Sequence, residues 1–196
     1  EKNPADRIRP GFLLRFKDRK PAHMRSLFVS LCLFLCMTLH LQGQSQATAG
    51  IHPSLLDQPW NASWVAVPGS DPYGYGVYLF RNVVTLETIP DTLMIHVSAD
   101  NRYKLYINGR WIGEGPARSD PSHWYYETYN IAPHLKPGKN VLAAEVWNFG
   151  SMKPWAQLSI STGFIVQGRP GEAEVFNTPG KWVCMTNPAV RPVTES

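Results

Sequence analysis

The stretch that decides the fold is Arg102-Tyr-Lys-Leu-Tyr-Ile-Asn-Gly-Arg-Trp-Ile-Gly113. Tyr103, Leu105 and Ile107 recur at every second position, which is the spacing of side chains on one face of a β-strand. The pair Asn108-Gly109 follows, and both residue types tolerate the positive φ angles of a type I′ turn. An apolar run then resumes, so the stretch predicts a β-hairpin.

Short apolar runs separated by Pro and Gly continue this pattern on both sides of the hairpin. No long segment keeps apolar residues at helical spacing, so the pattern is typical of a β-sandwich or jelly roll. In the long run 76–86 we expect Val77, Leu79 and Val83 to share one face. The predicted strands are 64–67, 76–86, 92–98, 102–107, 111–113, 123–129, 141–147, 157–161 and 163–166.

The composition agrees with many short strands and turns. Charged residues make up 17% of the chain, aromatic residues 12%, and there are 17 Pro, 15 Gly and 7 Trp. All seven Trp lie after residue 50, so the N-terminal segment is a different kind of polypeptide. We therefore place an all-β sandwich domain at residues 50–168.

Residues 24–49 have the pattern of a signal peptide. Met24-Arg25 is followed by about fifteen mostly apolar residues, and Ala47 and Ala49 supply the small residues of a cleavage site. We expect cleavage after Ala49, with Ala47 as the second choice. A membrane span normally needs about 20 apolar residues, which disfavours the alternatives of an uncleaved anchor or a buried helix. The mature chain is then secreted or periplasmic, with no stable membrane span.

The upstream residues 1–23 are basic and precede a plausible initiator, Met24. They are interpreted as a non-native or misassigned segment. Residues 1–49 hold 8 of the 19 basic and 3 of the 15 acidic residues, which leaves the rest of the chain with a net charge of −1 instead of the overall +4. The basic surplus therefore gives no argument for a nucleic-acid partner of the mature domain.

The cysteines predict neither a disulfide nor a metal site in the mature chain. Cys32 and Cys36 lie in the apolar run of the signal peptide, which leaves Cys184 alone. Cys184 lies in the apolar run Trp182-Val-Cys-Met185, which favours a buried, unreactive thiol. No cofactor is expected. Residues 169–196 are rich in Pro and Gly and are interpreted as a linker or the start of a truncated following domain.

A family resemblance comes from Ser98-Ala-Asp-Asn-Arg-Tyr-Lys-Leu-Tyr-Ile-Asn-Gly-Arg-Trp-Ile-Gly-Glu-Gly-Pro-Ala-Arg118, from Ile131-Ala-Pro-His-Leu-Lys-Pro-Gly-Lys-Asn-Val141 and from Ala144-Glu-Val-Trp-Asn-Phe-Gly150. The motif His123-Trp-Tyr-Tyr-Glu-Thr128 belongs to the same series. Taken in order, over roughly residues 60–168, the series resembles the N-terminal β-sandwich of bacterial α-L-rhamnosidases, which are glycoside hydrolases.

The resemblance implies a galactose-binding-like jelly roll that precedes further β domains and an (α/α)-barrel. In that family the barrel carries the acidic catalytic residues, so no catalytic residue carries over to this chain. The implied function is a non-catalytic, carbohydrate-binding-like accessory domain of a secreted enzyme. Its partners would be the downstream catalytic domain and rhamnose-containing glycans. The alternatives are a freestanding carbohydrate-binding module and a non-functional fragment.

Two candidate sites combine polar and aromatic side chains, as sugar binding does. The loop 113–124 contributes Arg118, Asp120, His123 and Trp124, and a second aromatic edge contributes Phe149 and Trp155. Each site has a structural alternative, and we favour it in both cases. For the loop it is docking of the next domain of a parent enzyme, and for the second edge it is core packing or a domain contact.

Five carboxylates are candidates for acid–base chemistry, because glycoside hydrolysis usually needs two acids across the sugar. None has a sequence context that predicts a raised pKa, and structural roles are favoured for all of them. The histidines at 96, 123 and 134 show no metal-ligand spacing. The carboxylates are Asp100, Glu114, Asp120, Glu127 and Glu145.

Overall fold

The computed structural model describes residues 53, 55 and 58–191. The predicted upstream segment 1–23 and signal peptide 24–49 lie outside the described residues. Within the described part no helix is long and apolar enough to cross a membrane. Three single-turn 3₁₀-helices occur, at Ala132–His134, Gly150–Met152 and Glu174–Phe176.

Eight strands form two antiparallel sheets in this part of the chain. The larger sheet has the order β4-β3-β6-β1-β8 and the smaller sheet the order β5-β2-β7. The predicted all-β jelly-roll sandwich is therefore confirmed. The strands are β1 Gly76–Leu86, β2 Met94–Asp100, β3 Arg102–Ile107, β4 Arg110–Gly115, β5 Glu127–Asn130, β6 Gly138–Asn148, β7 Gly163–Gly168 and β8 Val183–Thr186.

The core between the sheets is centred on Phe164, which is fully buried. Its ring centroid lies 5.1 Å from that of Phe80, 6.1 Å from that of Tyr103 and 5.3 Å from that of Trp182. Tyr103 is also fully buried, and its hydroxyl lies 3.1 Å from the hydroxyl of Tyr129. Burial raises the pKa of Tyr103 far above its usual value, so this phenol stays neutral in the core.

The hairpin predicted at Asn108-Gly109 is confirmed. These residues have φ angles of 50° and 80°, as a type I′ turn requires. The Asn108 side chain also ties the turn to the rest of the sandwich. Its Nδ2 donates to the carbonyl of His134 and to Oδ1 of Asn140, and its Oδ1 accepts from the N–H of Val141.

Strand β1 has the predicted bounds and the predicted grouping of side chains. Val77, Leu79 and Val83 do share a face, yet the core is formed by the alternate residues Tyr78, Phe80 and Val84. Both faces of β1 are apolar, so alternation alone cannot distinguish them. A shift of one residue exchanges the two faces of a strand.

Three further predicted strands differ from the structure. Residues 64–67 contribute a single bridge, Val65 to Phe164, and the strand expected at 123–129 begins only at Glu127. Residues 157–161 form no strand. Their backbone N–H groups are used elsewhere, as described below.

The sandwich continues beyond residue 168, where the sequence analysis ended it. Strand β8 pairs antiparallel with β1, from Tyr78 opposite Thr186 to Arg81 opposite Val183. Phe176 is fully buried within the same core. The segment from 169 to 186 is therefore part of the sandwich and is not a separate linker, because it fills the core and completes the larger sheet.

Candidate functional site

The outer face of the smaller sheet is covered by protein. His96, Ser98 and Asp100 alternate with the core residues of β2, yet each is at most 2% exposed. Three segments cover these side chains: residues 60–65, 123–126 and 159–163. They contact β2 through aromatic rings and hydrogen bonds, and they line the cavities above it. These segments create concave surfaces above the sheet.

Five aromatic residues form what we call the aromatic groove on this face. It contains two adjoining cavities of about 390 and 360 Å³, and Trp64 and Trp124 line both. The two indoles meet edge to face with ring centroids 6.4 Å apart. The groove residues are Trp60, Trp64, Trp124, Tyr125 and Tyr126.

The side chains of the aromatic groove differ in how much of their surface is exposed to solvent. Trp64 is 48% exposed and Tyr125 51% exposed, so both present aromatic surface to solvent. Trp124 is half-buried, and its Nε1–H is buried without a hydrogen-bond partner among the described residues. A buried donor left without an acceptor costs free energy, which an acceptor atom of a bound molecule would recover.

A turn at Asp120 leads the chain into Trp124. The Asp120 carboxylate accepts the backbone N–H of Ser122 at 2.8 Å and that of His123 at 3.1 Å. These hydrogen bonds, the one from Ser122 first, hold the Asp120 pKa below its usual value. The His123 ring lies 3.2 Å from the carboxylate, but both side chains are mostly exposed, so the pair contributes little stability.

Asp100 is a buried carboxylate at the base of one of the groove cavities. It accepts hydrogen bonds from the Ser159 hydroxyl at 2.8 Å, the Ile160 N–H at 2.6 Å and the Ser161 N–H at 2.8 Å. The backbone N–H groups of Ile160 and Ser161 thus bond to a side chain instead of to a neighbouring strand. This explains why the strand expected at 157–161 does not form.

His96 supports the other end of the groove. It is fully buried, its Nδ1 lies 2.9 Å from the Thr128 hydroxyl, and the rings of Trp60 and Tyr126 pack on it at 6.0 and 5.5 Å. Burial lowers the pKa of His96 to about 4, so the imidazole is neutral at physiological pH. A neutral ring suits this apolar position beneath two aromatic side chains.

The predicted site residues are only partly brought together. Trp124 lies at the centre of the aromatic groove, and Asp120 and His123 form the turn that precedes it. Arg118 is exposed and has no ion pair within the described part of the chain.

The second predicted edge lies outside the groove. Phe149 packs on Trp147 with centroids 6.4 Å apart, and Trp155 is fully exposed. Neither residue lines the cavities next to Trp124.

Sequence reasoning missed Trp60, Trp64 and Asp100 as members of the groove. The signal that could have found the first two is the pair of Trp residues four positions apart, before the first regular strand. Asp100 gave no such signal, since its partners lie about sixty residues away in the chain.

The candidate carboxylates occupy separate structural positions. Asp100 holds the loop 159–161, Glu127 accepts the N–H of Ala117 at 3.1 Å, and Glu145 lies on the outer face of the larger sheet. Among the described residues no group of three or more His, Cys, Asp or Glu side chains could hold a metal ion.

The fold can now be compared with known proteins. No family model matches the chain, and no curated protein matches it. Among solved structures, the GH78 rhamnosidase of Bacillus sp. GL1 is 29% identical with a TM-score of 0.59, over 66% of this chain and 14% of that one. Other solved structures similar to this chain include α-L-rhamnosidases. The resemblance predicted from the sequence is thereby confirmed.

Two further solved rhamnosidases match the chain at lower identity. The native α-L-rhamnosidase of Aspergillus terreus is 14% identical, with a TM-score of 0.50 over 71% of this chain and 18% of that one. The Streptomyces avermitilis α-L-rhamnosidase, solved with L-rhamnose, is 19% identical with a TM-score of 0.49 over 69% of this chain and 13% of that one. The chain thus spans less than a fifth of each of these rhamnosidases, as expected for a partial domain.

Proposed function

We propose that this chain is a non-catalytic accessory domain of a secreted α-L-rhamnosidase-like glycoside hydrolase, and that its aromatic groove binds carbohydrate. The observation that carries the proposal is the position of Trp64 and Trp124, which line both cavities of the groove. The 29% identity with the Bacillus rhamnosidase supports the enzyme class of the parent protein. Rhamnose-containing glycans are the ligand class that this relationship suggests.

The chemistry of the groove suits a sugar. Exposed indole faces accept the apolar C–H side of a pyranose ring, and a few polar groups then fix its orientation. Here the unpartnered Nε1–H of Trp124 is the polar group that a sugar hydroxyl would satisfy, whereas the Asp100 carboxylate below it already bonds to residues 159–161. Each cavity lies within the volume range of small-ligand sites, about 300–1,000 Å³.

The positions of Asp100 and Glu145 favour a non-catalytic role. Glycosidases usually hold two carboxyl groups about 5–9.5 Å apart across the scissile bond. In this domain Asp100 is occupied by three donors from the loop 159–161, and Glu145 lies on the outer face of the other sheet. Hydrolysis would then be the task of another part of the parent enzyme.

Docking of the catalytic domain is a second candidate role, favoured by one specific observation. Apolar side chains between β6 and β7 are exposed, with Trp155 fully exposed, Met152 at 58% and Ile160 at 53%. Ile160 also lines the aromatic groove, so a docked domain could cover this loop and the groove together.

The experiment that tests the proposal is a titration of the purified chain with L-rhamnose and rhamnose-containing disaccharides, followed by NMR. We expect saturable shifts at the Trp64 and Trp124 indole N–H resonances, lost in Trp124→Ala and Trp64→Ala. Trp155→Ala removes an indole outside the groove and should leave binding unchanged. If a folded sample shows no shifts with any of these sugars, the groove is a docking surface and the carbohydrate proposal is wrong.

A further inference from the structure

A third cavity, which we call the sheet groove, lies on the outer face of the larger sheet. It has a volume of about 480 Å³ and crosses strands β3, β6, β1 and β8. It lies on the other sheet from the aromatic groove, and neither the proposed function nor the predicted sites use it. Its outward-facing residues are Leu79, Arg81, Tyr106, Ala143, Glu145, Val183 and Met185.

The depth of the sheet groove follows from one small residue in a row of larger ones. Tyr106, Ala143, Arg81 and Val183 are direct cross-strand neighbours in that order. The methyl group of Ala143 leaves a gap between the Tyr106 ring and the Arg81 side chain. Cross-strand neighbours lie about 4.5–5.5 Å apart, so the gap spans two strand spacings.

Two opposite charges face this groove without pairing. Arg81 stands opposite Ala143, and Glu145 stands opposite Leu79, which makes Arg81 and Glu145 diagonal neighbours on adjacent strands. Neither forms an ion pair within 4.0 Å in the described part of the chain. Lys104 lies directly opposite Glu145, but its ammonium is positioned over the Trp147 ring, 5.8 Å from the centroid.

We propose that the sheet groove binds a neutral saccharide. The sugar ring would lie on Ala143 beside the Tyr106 ring, and its hydroxyls would bridge the Arg81 guanidinium and the Glu145 carboxylate. Hydroxyl groups donate to a carboxylate and accept from a guanidinium, so an uncharged polyol satisfies both groups at once.

The other occupants fit less well. A charged ligand would meet one like charge, because the two groove charges are opposite in sign. An apolar protein surface would bury both charges without hydrogen-bond partners, which is costly. The cavity volume also lies in the range of small-ligand sites rather than of flat protein interfaces.

The test is an NMR titration of the full chain with three neutral disaccharides, cellobiose, maltose and lactose, up to millimolar concentration. We expect at least one to shift the amide resonances of Ala143 and Leu79 saturably. Glu145→Gln and Arg81→Gln should each weaken that binding by about tenfold or more, which equals a loss of 1.4 kcal/mol. Glu145→Gln keeps the side-chain length and Arg81→Gln shortens it, and because both positions face outward each variant should keep the amide spectrum of the folded protein.

Two matched controls separate this site from its surroundings. Glu114→Gln makes the same chemical change on β4 of the same sheet, outside the sheet groove, and should leave binding unchanged. Trp124→Ala removes the centre of the aromatic groove on the other sheet and should also leave it unchanged.

Three outcomes would overturn the proposal. One is the absence of saturable shifts in a folded sample with all three disaccharides. Another is binding that persists in Glu145→Gln and Arg81→Gln but vanishes in Trp124→Ala. The last is a concentration-dependent dimer, detected by sedimentation, whose contact shifts map to Val183 and Met185, which would assign the sheet groove to a second copy of the chain.

Discussion

The Trp64 indole lies directly over Gly163, so closely that a Cβ atom added to the glycine would lie 3.0 Å from Cε3 of the ring. The contact joins the part of the chain just before β1 to the first residue of β7. It also determines how far the Trp64 ring can approach the sheet, and therefore the width of the aromatic groove beside it.

Gly163→Ala is therefore expected to displace the Trp64 ring by a few tenths of an ångström. Because Trp64 is 48% exposed, the ring can move without disturbing the core, and the free energy of unfolding should change by less than about 1 kcal/mol. Carbohydrate binding in the aromatic groove should weaken. NMR shifts of the Trp64 indole N–H and a ligand titration measure both effects. An unchanged indole resonance would contradict the contact.

The Asp100 carboxylate is predicted to be a major stabilising group of the loop 159–161. Asp100→Asn keeps the side-chain size but turns an NH₂ group toward donors, so we expect a loss of about 2–3 kcal/mol. Ser159→Ala removes only one of the donors to Asp100 and should cost about 1 kcal/mol. Urea denaturation of the two variants measures the difference. Equal losses would mean that the backbone hydrogen bonds to Asp100 contribute nothing.

The stability of the domain should depend on the protonation of His96. Burial lowers its folded-state pKa to about 4, from the ordinary value of 6.5 expected in the unfolded chain. The unfolded state therefore binds the proton more tightly. The contribution of neutral His96 is complete above pH 6.5 and is lost as the pH falls toward 4.

Thermal unfolding between pH 7 and pH 4 tests this linkage. The slope of stability against pH should be smaller in His96→Gln than in the natural chain over this window. Parallel curves for the natural chain and His96→Gln would exclude the linkage.

Phe176 tests whether the chain beyond residue 168 belongs to the sandwich. Its side chain is fully buried in the core, so Phe176→Ala is expected to cost about 3–5 kcal/mol. The neighbouring Val175 is 43% exposed, and Val175→Ala should cost less than about 0.5 kcal/mol. Chemical denaturation compares the pair. If Phe176→Ala changed the free energy of unfolding only slightly, the interpretation of residues 169–196 as a linker would be favoured again.

Asn108 is expected to stabilise more than its own turn. Asn108→Gly keeps the positive φ angle but removes three side-chain hydrogen bonds to His134, Asn140 and Val141. We expect a loss of about 1–3 kcal/mol in unfolding free energy. Arg110→Gly, on the exposed side of the hairpin, provides a comparison. If Asn108→Gly were as stable as the natural chain, Asn108 would contribute only its turn conformation and not its side-chain hydrogen bonds.

Local patterns predicted much of this fold. The hairpin at Asn108-Gly109 and the bounds of β1 and β3 depend on neighbouring residues in the chain, and all three were predicted correctly. The core face of β1 could not be assigned from the sequence, because its outer face lines the sheet groove and is also apolar.

Long-range contacts explain what the sequence could not predict. The N–H groups of Ile160 and Ser161 bond to Asp100. The sequence pattern at 157–161 could not indicate this contact, because Asp100 lies about sixty residues earlier in the chain. In the same way Trp124 was recognised as a candidate site residue, whereas its neighbour Trp64 was read as part of a strand. The aromatic groove exists only when the fold brings the two together.

The pairing of β8 with β1 has a consequence for folding while the protein is being synthesised. A ribosome releases Gly76–Leu86 long before Val183–Thr186, so one edge of β1 stays unpaired while about a hundred further residues are translated. An unpaired strand edge is a template for pairing with other chains. The larger sheet is therefore completed only after β8 has been translated, and one edge of β1 stays open to pairing with other chains until then.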